Sequence, residues 1–390
     1  MSKAVLFALL FFSVIIAGGF SLASLKSAYF AGPLVYNLAD VSSDGTATQR
    51  LATSAAGRPH LKTPESVKAI YMTSWVAGTK NWREDLVKMI DDTELNAIII
   101  DVKDYTGRIS FKVFDPVLQK IGAEEERIPD IREFISELHR KNIYAIARIS
   151  VFQDPYLVKQ RPDLAVKRKS GGVWKDRKGI PWLDPANKET WEYVARIGKE
   201  AERAGFDELN FDYIRFPSDG NMTDISYDFW DEVTPRHIVL KNFFAYLRQE
   251  LGGLNVALSA DLFGLTTWNY DDLNIGQVLE DAALYFDFIA PMVYPSHYPP
   301  TFQGYANPAS HPYEIINSAM KRASERLVTA TSSPNKLRPW LQDFDMGATY
   351  TSEMIRKEKQ AVYDAGLNSW MLWDPTNKYT REALDATPAP

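Results

Sequence analysis

Short apolar runs rich in β-branched residues alternate along this chain with longer stretches of helical periodicity. Runs that are apolar at consecutive positions are typical of parallel strands buried between helices. The predicted strands are Val67–Ser74, Asn96–Asp104, Ile143–Phe152, Phe206–Phe216, Asn255–Gly264, Phe286–Ser296, Lys336–Phe344 and Leu367–Asp374. The predicted helices include Trp82–Thr93, Ile128–Lys141, Glu189–Ala204 and Pro235–Leu251. Eight strand–helix units in succession predict an α/β protein with a (β/α)8, or TIM, barrel.

Aspartates collect where these predicted strands end. They are Asp101, Asp104, Asp212, Asp261, Asp343 and Asp374. A barrel of this kind places its chemistry at the carboxyl ends of its strands, so the pattern predicts where the active site lies. A single aspartate at a strand end could equally cap the following helix or hold a loop, and Asp343 and Asp374 fit that interpretation well.

The amino terminus has the pattern of a targeting segment. Lys3 precedes the uncharged, apolar stretch 4–20, and Ser21-Leu22-Ala23 offers a small-residue cleavage site. Cleavage after Ala23 and retention as a membrane anchor both remain open, and both predict an extracytoplasmic protein. Residues 24–64 are rich in Ser, Ala, Thr and Gly and predict a linker, followed by the barrel over 65–380.

Composition excludes several classes of function. The formal net charge of −6 argues against nucleic-acid binding, which needs a basic face. The chain has no cysteine, which rules out disulfides and thiolate chemistry. Its five histidines show no close ligand spacing, so we expect no metal and no cofactor. An all-oxygen cation site built from Asp101, Asp104 and Asp212 is the weaker alternative.

A long connection, from Gln153 to about Lys188, separates the third predicted strand from the next helix. Connections of this length inside a compact domain are usually functional. Eight basic residues lie from Lys159 to Lys178, with Trp174 among them and Trp182 shortly after them. They fit either a solvated hairpin with salt bridges or a wall of a cleft that favours an anionic or polar polymer.

Carboxylates from neighbouring strands around one barrel mouth are what cleavage of a glycosidic bond requires. One carboxyl group protonates the leaving oxygen, and the other attacks the anomeric carbon or activates water. Asp212 and Asp261 lie near the ends of consecutive predicted strands, which makes them the leading pair, with Asp101 or Asp104 as the alternative partner.

The run Gly205–Pro217 resembles the signature of a family of bacterial glycoside hydrolases that was long catalogued as a domain of unknown function. Supporting blocks lie at 101–104, 182–185, 291–295 and 342–344, so the resemblance extends over about 67–374. It implies a TIM barrel, and it implies Asp212 as the main catalytic carboxylate.

The leading hypothesis is a glycosidase that acts on an extracytoplasmic polysaccharide, with Asp212 as nucleophile or main catalytic carboxylate and Asp261 as acid/base. We expect Arg215 to hold a carboxylate ionised and, with Tyr294 and Gln342, to orient the sugar. Further predicted contacts with the sugar are Trp75, Trp340, Trp373, Asp343 and Trp182. The alternative is a non-catalytic carbohydrate-binding barrel, which would need the aromatic surface but no close carboxylate pair.

Overall fold

A computed structural model describes residues 60–387 of the chain. The predicted targeting segment and most of the predicted linker lie outside these residues. Within them the strands are β1 (Lys68–Met72), β2 (Ala97–Lys103), β3 (Tyr144–Ser150), β4 (Lys167–Arg168), β5 (Glu208–Asp212), β6 (Ile225–Ser226), β7 (Ala257–Phe263), β8 (Phe288–Met292), β9 (Trp340–Gln342) and β10 (Trp370–Trp373).

Eight of these strands close into a parallel barrel in the order β1-β10-β9-β8-β7-β5-β3-β2. The predicted (β/α)8 fold is therefore confirmed, although each strand is shorter than its predicted run. The two remaining strands, β4 and β6, form an antiparallel ribbon outside the barrel. This ribbon joins the long connection after β3 to the loop after β5.

Helices surround the barrel. They are α1 (Ser74–Ala77), α2 (Lys80–Asp92), α3 (Pro116–Ile121), α4 (Ile131–Arg140), α5 (Pro155–Gln160), α6 (Lys188–Ala204), α7 (Arg236–Leu251), α8 (Leu279–Ala283), α9 (Pro312–Thr329) and α10 (Ser352–Asp364). Within the part of the chain described, none is long and apolar enough to cross a membrane.

Helix α6 illustrates why these segments fold as they do. The side chain of Asn187 accepts hydrogen bonds from the first backbone amides of the helix, and Gly205 ends it with a positive φ of 110°. Val194, Ile197 and Ala201 lie on one face and are buried. That face packs in the large apolar core between the strands and the helices.

The barrel interior contains polar side chains at both ends. At the amino-terminal end, Arg338 forms an ion pair of 2.7 Å with Glu208, and both side chains are almost fully buried. The hydroxyl of Tyr144 donates to the same carboxylate at 3.1 Å. A smaller apolar cluster that includes Ile99, Ile146 and Met371 fills the interior above this pair. Side chains therefore fill the barrel interior at its amino-terminal end.

The residues that lead into β1 are attached to the amino-terminal end of the barrel. The backbone amide of Leu61 donates to Asp207 at 2.8 Å, and His60 and His139 contact the same carboxylate at 3.6 and 3.0 Å. Asp207 immediately precedes β5. The chain therefore enters the barrel on the face opposite the carboxyl ends of the strands.

Candidate active site

Three of the aspartates predicted at strand ends converge inside the mouth of the barrel. Asp101 lies in β2, Asp212 ends β5, and Asp261 lies in β7. The register that pairs Asn210 with Ser259 brings Asp212 and Asp261, each two residues further on, to the same height on adjacent strands. All three side chains are nearly buried, with Asp212 the most exposed at 6%.

Arg148, on β3, links the three carboxylates. Its Nη1 donates to Oδ1 of Asp101 at 2.6 Å, and its Nε donates to Oδ2 of Asp212 at 3.1 Å. Nη2 donates to that same Asp212 oxygen. Oδ2 of Asp261 lies 3.9 Å from Nε. The Oδ2 atoms of Asp212 and Asp261 are therefore at most 7.0 Å apart, the sum of their distances from Nε.

Asp261 is held in an environment that favours its protonated form. Burial raises the pKa of this carboxyl group to about 8, and the negative charge of Asp212 contributes in the same direction. Arg148 opposes the shift, as do hydrogen bonds to Oδ1 from Nδ2 of Asn210 at 2.9 Å and Nε1 of Trp340 at 2.8 Å. A carboxyl group with this pKa can act as a general acid near neutral pH.

Asp101 occupies the other side of the arginine. The hydroxyl of Tyr71 donates to its Oδ2 at 2.5 Å. Burial raises the pKa of Asp101 to about 6, and Arg148 limits the rise. The ring of Trp373 stacks on Tyr71 at a centroid distance of 4.0 Å, so the hydroxyl that contacts Asp101 is fixed by packing.

The backbone is strained directly after Asp212. Tyr213 has a φ of +53°, a region that residues with a Cβ rarely adopt. The amide of Tyr213 donates to Oδ1 of Asp212 at 2.6 Å. Asp212 thus receives hydrogen bonds on both oxygens, which fixes its orientation. Strain of this kind recurs at functional sites, where the surrounding structure maintains it.

The other three strand-end aspartates hold loops. Asp104 accepts hydrogen bonds from Thr106 and from Nη1 of Arg127, the latter at 2.6 Å. Asp343 accepts from the amide and hydroxyl of Thr380. Asp374 accepts from Thr376 in its own turn. These contacts match the structural interpretation that the sequence left open for such residues.

The predicted aromatic contacts are at different depths. Trp75 is 54% exposed, and the Arg127 guanidinium stacks on its ring at 4.2 Å. Trp373 is half-buried at the mouth, whereas Trp340 is fully buried and donates to Asp261. Tyr294 is buried near the carboxylates, and burial raises the pKa of its hydroxyl, which therefore remains a donor.

Other predicted contacts are engaged by the protein itself. Gln342 is buried, its Oε1 accepts from the amide of Ser296, and its Nε2 donates to the carbonyl of Phe344. Trp182 is buried and donates to Asp176 at 3.0 Å. Arg215 forms no ion pair with Asp212, and the role expected of it as the cation beside the carboxylates belongs to Arg148.

Sequence reasoning did not assign a role to Arg148, Tyr71 or Asn210. Arg148 left a signal, because a charged residue within the apolar run Ile143–Phe152 must point into the barrel or pair with an acid. Asn210 lies two residues before Asp212 and so shares its inward face. Tyr71 gave no signal, because aromatic residues are common in buried strands.

The basic residues of the long connection follow the salt-bridge interpretation in part. Arg161 pairs with Asp163 at 2.6 Å and Arg168 with Asp224 at 3.0 Å.

Within residues 60–387, no group of three or more His, Asp or Glu side chains is arranged to hold a metal ion.

A family model described as "putative glycosyl hydrolase domain" matches residues 69–379. The chain therefore belongs to this family of glycosyl hydrolases. No curated protein matches the sequence significantly. Together with the barrel fold, the family assignment defines the chain as a glycosidase.

Solved structures include similar barrels. The glycoside hydrolase domain of PgaB (BpsB) from Bordetella bronchiseptica is 14% identical, with 80% of this chain and 94% of that chain covered and a TM-score of 0.58. A hypothetical protein from Ruminiclostridium thermocellum is 37% identical, over 49% of this chain and 96% of that chain, with a TM-score of 0.46. The Bordetella domain shares the barrel fold.

Proposed function

We propose that the protein hydrolyses glycosidic bonds of an extracytoplasmic polysaccharide, with Asp212 as the nucleophile and Asp261 as the acid/base. The observation that carries this proposal is the separation of at most 7.0 Å between their Oδ2 atoms. Retaining glycosidases hold their carboxyl groups about 5–5.5 Å apart, and inverting ones about 6.5–9.5 Å. A separation of at most 7.0 Å excludes most of the distances found in inverting enzymes, and it therefore favours direct attack by the Asp212 carboxylate.

The chemistry would proceed in two balanced steps. Protonated Asp261 donates its proton to the glycosidic oxygen as an Asp212 oxygen bonds to the anomeric carbon and the leaving sugar departs as an alcohol. Ionised Asp261 then takes a proton from water, whose oxygen displaces Asp212 from that carbon. The raised pKa of Asp261 suits the first step, and Arg148 keeps Asp212 in position for both.

Asp101, Trp75 and Trp373 would contact the sugar. Asp101 lies across the guanidinium from Asp212 and can accept hydrogen bonds from sugar hydroxyls. One face of the exposed Trp75 ring rests on Arg127, which leaves its other face for a sugar ring. The apolar stretch 4–20 supports a location outside the cytoplasm, with the barrel either secreted or held at the membrane.

Replacement of Asp212 by Asn tests the assignment. The two side chains are isosteric, so the variant should fold, and we expect release of reducing ends from envelope polysaccharides to fall by at least about 1,000-fold. Arg161→Gln, on the surface of the long connection, is the matched control. Undiminished activity in Asp212→Asn would remove Asp212 from the mechanism. Glycan binding by a wild-type protein with no turnover would favour the carbohydrate-binding alternative.

A further inference from the structure

Arg215 lies beside the proposed catalytic pair, three residues after Asp212. Its side chain is almost fully buried, at 5% exposure. The guanidinium carbon is 4.7 Å from the ring centre of Trp182 and 4.8 Å from that of Phe263. Phe263 ends β7, two residues beyond Asp261. The aromatic rings therefore hold the cation at the carboxyl ends of the two strands that carry the catalytic pair.

This guanidinium has no anionic partner among residues 60–387. Nη1 donates to the carbonyl of Phe216 at 3.1 Å and to Oγ of Ser218 at 3.0 Å. Nε and Nη2 donate to no described residue, and no described carboxylate lies within the 4.0 Å of an ion pair. A buried charge without a counterion is costly, and that cost indicates a ligand that supplies one.

Asp219, Asp212 and Asp176 act on the charge of Arg215, but none of them fills this role. Asp212 is paired with Arg148. Both oxygens of Asp176 are already engaged: Oδ2 by the side chains of Trp182 and Gln153, and Oδ1 by backbone amides. Asp219 is half-buried, and burial raises the pKa of its carboxyl group from the ordinary value. Neither residue is within ion-pair distance of Arg215. The basic side chains of Arg177 and Lys178 lie near Asp219 and add positive charge.

We propose that Arg215 binds an anionic substituent of the sugar chain, a carboxylate, sulfate or phosphate group, so that the substrate is an anionic polysaccharide. This inference rests on the proposed glycosidase function. A planar guanidinium with two free donor positions matches the paired oxygens of such groups. The substituent would belong to the sugar being cleaved or to its neighbour, because Arg215 follows Asp212 so closely.

Small matched ligands test the proposal directly. The full-length protein is titrated with glucuronate and with its uncharged methyl ester, and with glucose 6-sulfate, glucose 6-phosphate and glucose, followed by ligand-observed NMR. We expect at least one anion to bind about tenfold or more tightly than its neutral counterpart, because hydrogen bonds to charged groups contribute this much. The three anions distinguish the chemistry of the substituent.

Three variants separate charge recognition from folding. Arg215→Met retains an unbranched stem between the rings and should reduce the preference for the anion to about one, whereas a loss of folding would weaken both ligands equally. Asp219→Asn should strengthen anion binding, since it removes a nearby negative charge. Arg161→Gln, which removes a surface charge that is already paired with Asp163, should change nothing.

The outcomes distinguish this inference from the proposed function. A wild-type protein with no preference for any anion, or a preference that Arg215→Met retains, would overturn the anionic site. Hydrolysis of an anionic polysaccharide at an unchanged kcat/KM in Arg215→Met would also overturn the anionic site, and it would leave the glycosidase intact. Anion binding through Arg215 without hydrolysis of any polysaccharide would instead overturn the glycosidase.

Discussion

Replacing Asp261 with Asn should stabilise the folded protein at neutral pH while it abolishes general acid catalysis. Asn retains an oxygen for the hydrogen bonds from Asn210 and Trp340, but it carries no charge to bury. In the unfolded chain Asp261 would titrate near the ordinary value of 3.8, whereas burial in the fold raises its pKa to about 8. The folded state therefore binds a proton that the unfolded state has already lost.

The size of the effect follows from linkage. Because the unfolded chain binds fewer protons, the free energy of unfolding of the wild type falls as pH rises between these two pKa values. The slope is about 1.36 kcal/mol per pH unit, which amounts to about 4 kcal/mol between pH 3.8 and pH 7. Above about pH 8 the difference between wild type and variant should be constant.

Urea unfolding of both proteins from pH 5 to pH 9 measures this difference. The free energy of unfolding of the variant should exceed that of the wild type by an amount that increases up to about pH 8. The activity of the variant on substrates with unactivated leaving groups should be lower by about 100- to 10,000-fold. In the wild type, activity should decline as pH rises through the same pKa, because the acid must be protonated. A pH-independent difference in stability, or a variant less stable than the wild type at pH 7, would refute the reasoning.

Three further changes have defined outcomes. Arg148→Met leaves Asp101 and Asp212 without their shared cation, so urea unfolding should show a free energy of unfolding lower by about 3–5 kcal/mol. A decrease below about 1 kcal/mol would contradict the ion-pair network. Trp75→Ala removes an exposed stacking surface worth about 1 kcal/mol, so kcat/KM on long glycans should fall about fivefold. The kcat/KM on the shortest fragment that is cleaved should stay the same. Equal losses on both substrates would exclude a separate sugar contact at Trp75. His60→Ala removes a contact with Asp207, which raises the pKa of the His60 imidazole above 6.5 in the folded protein. The stabilisation that this contact gives the fold is complete below pH 6.5, and it is lost as pH rises through the raised pKa of His60. Thermal unfolding should therefore show a larger destabilisation at pH 5, about 1 kcal/mol, than at pH 8, and equal effects would contradict the contact.

Prediction worked best where local pattern and tertiary structure agree. The apolar run that contains Ile98, Ile99 and Ile100 must be buried on both faces, and a parallel strand between helices satisfies it. The predicted strands overran the observed ones because apolar residues also continue into the loops. Strand β5 ends at Asp212, whereas its apolar run continues through Ile214 and Phe216. The barrel ends where pairing stops, which sequence periodicity does not report.

The site was harder to predict than the fold. Asp101 and Asp104 are separated by only two residues, yet the first faces the mouth and the second holds a turn with Thr106 and Arg127. A register shift after Asp101 at the β2–β3 pairing contributes to this difference. Nothing in the local sequence distinguishes the two carboxylates, since both follow the same apolar run.

The sequence by itself determined the barrel, the end of it that carries chemistry and the candidacy of Asp212 and Asp261. These depend on local periodicity and on strand ends, which a one-dimensional pattern records. The tertiary structure alone decided that Arg148 links Asp101 to Asp212. It also decided that Asp104, Asp343 and Asp374 hold loops and that Arg215 contacts aromatic rings without pairing with any of these aspartates. Charge pairing and desolvation depend on distances between strands far apart along the chain, and those distances exist only once the barrel has closed.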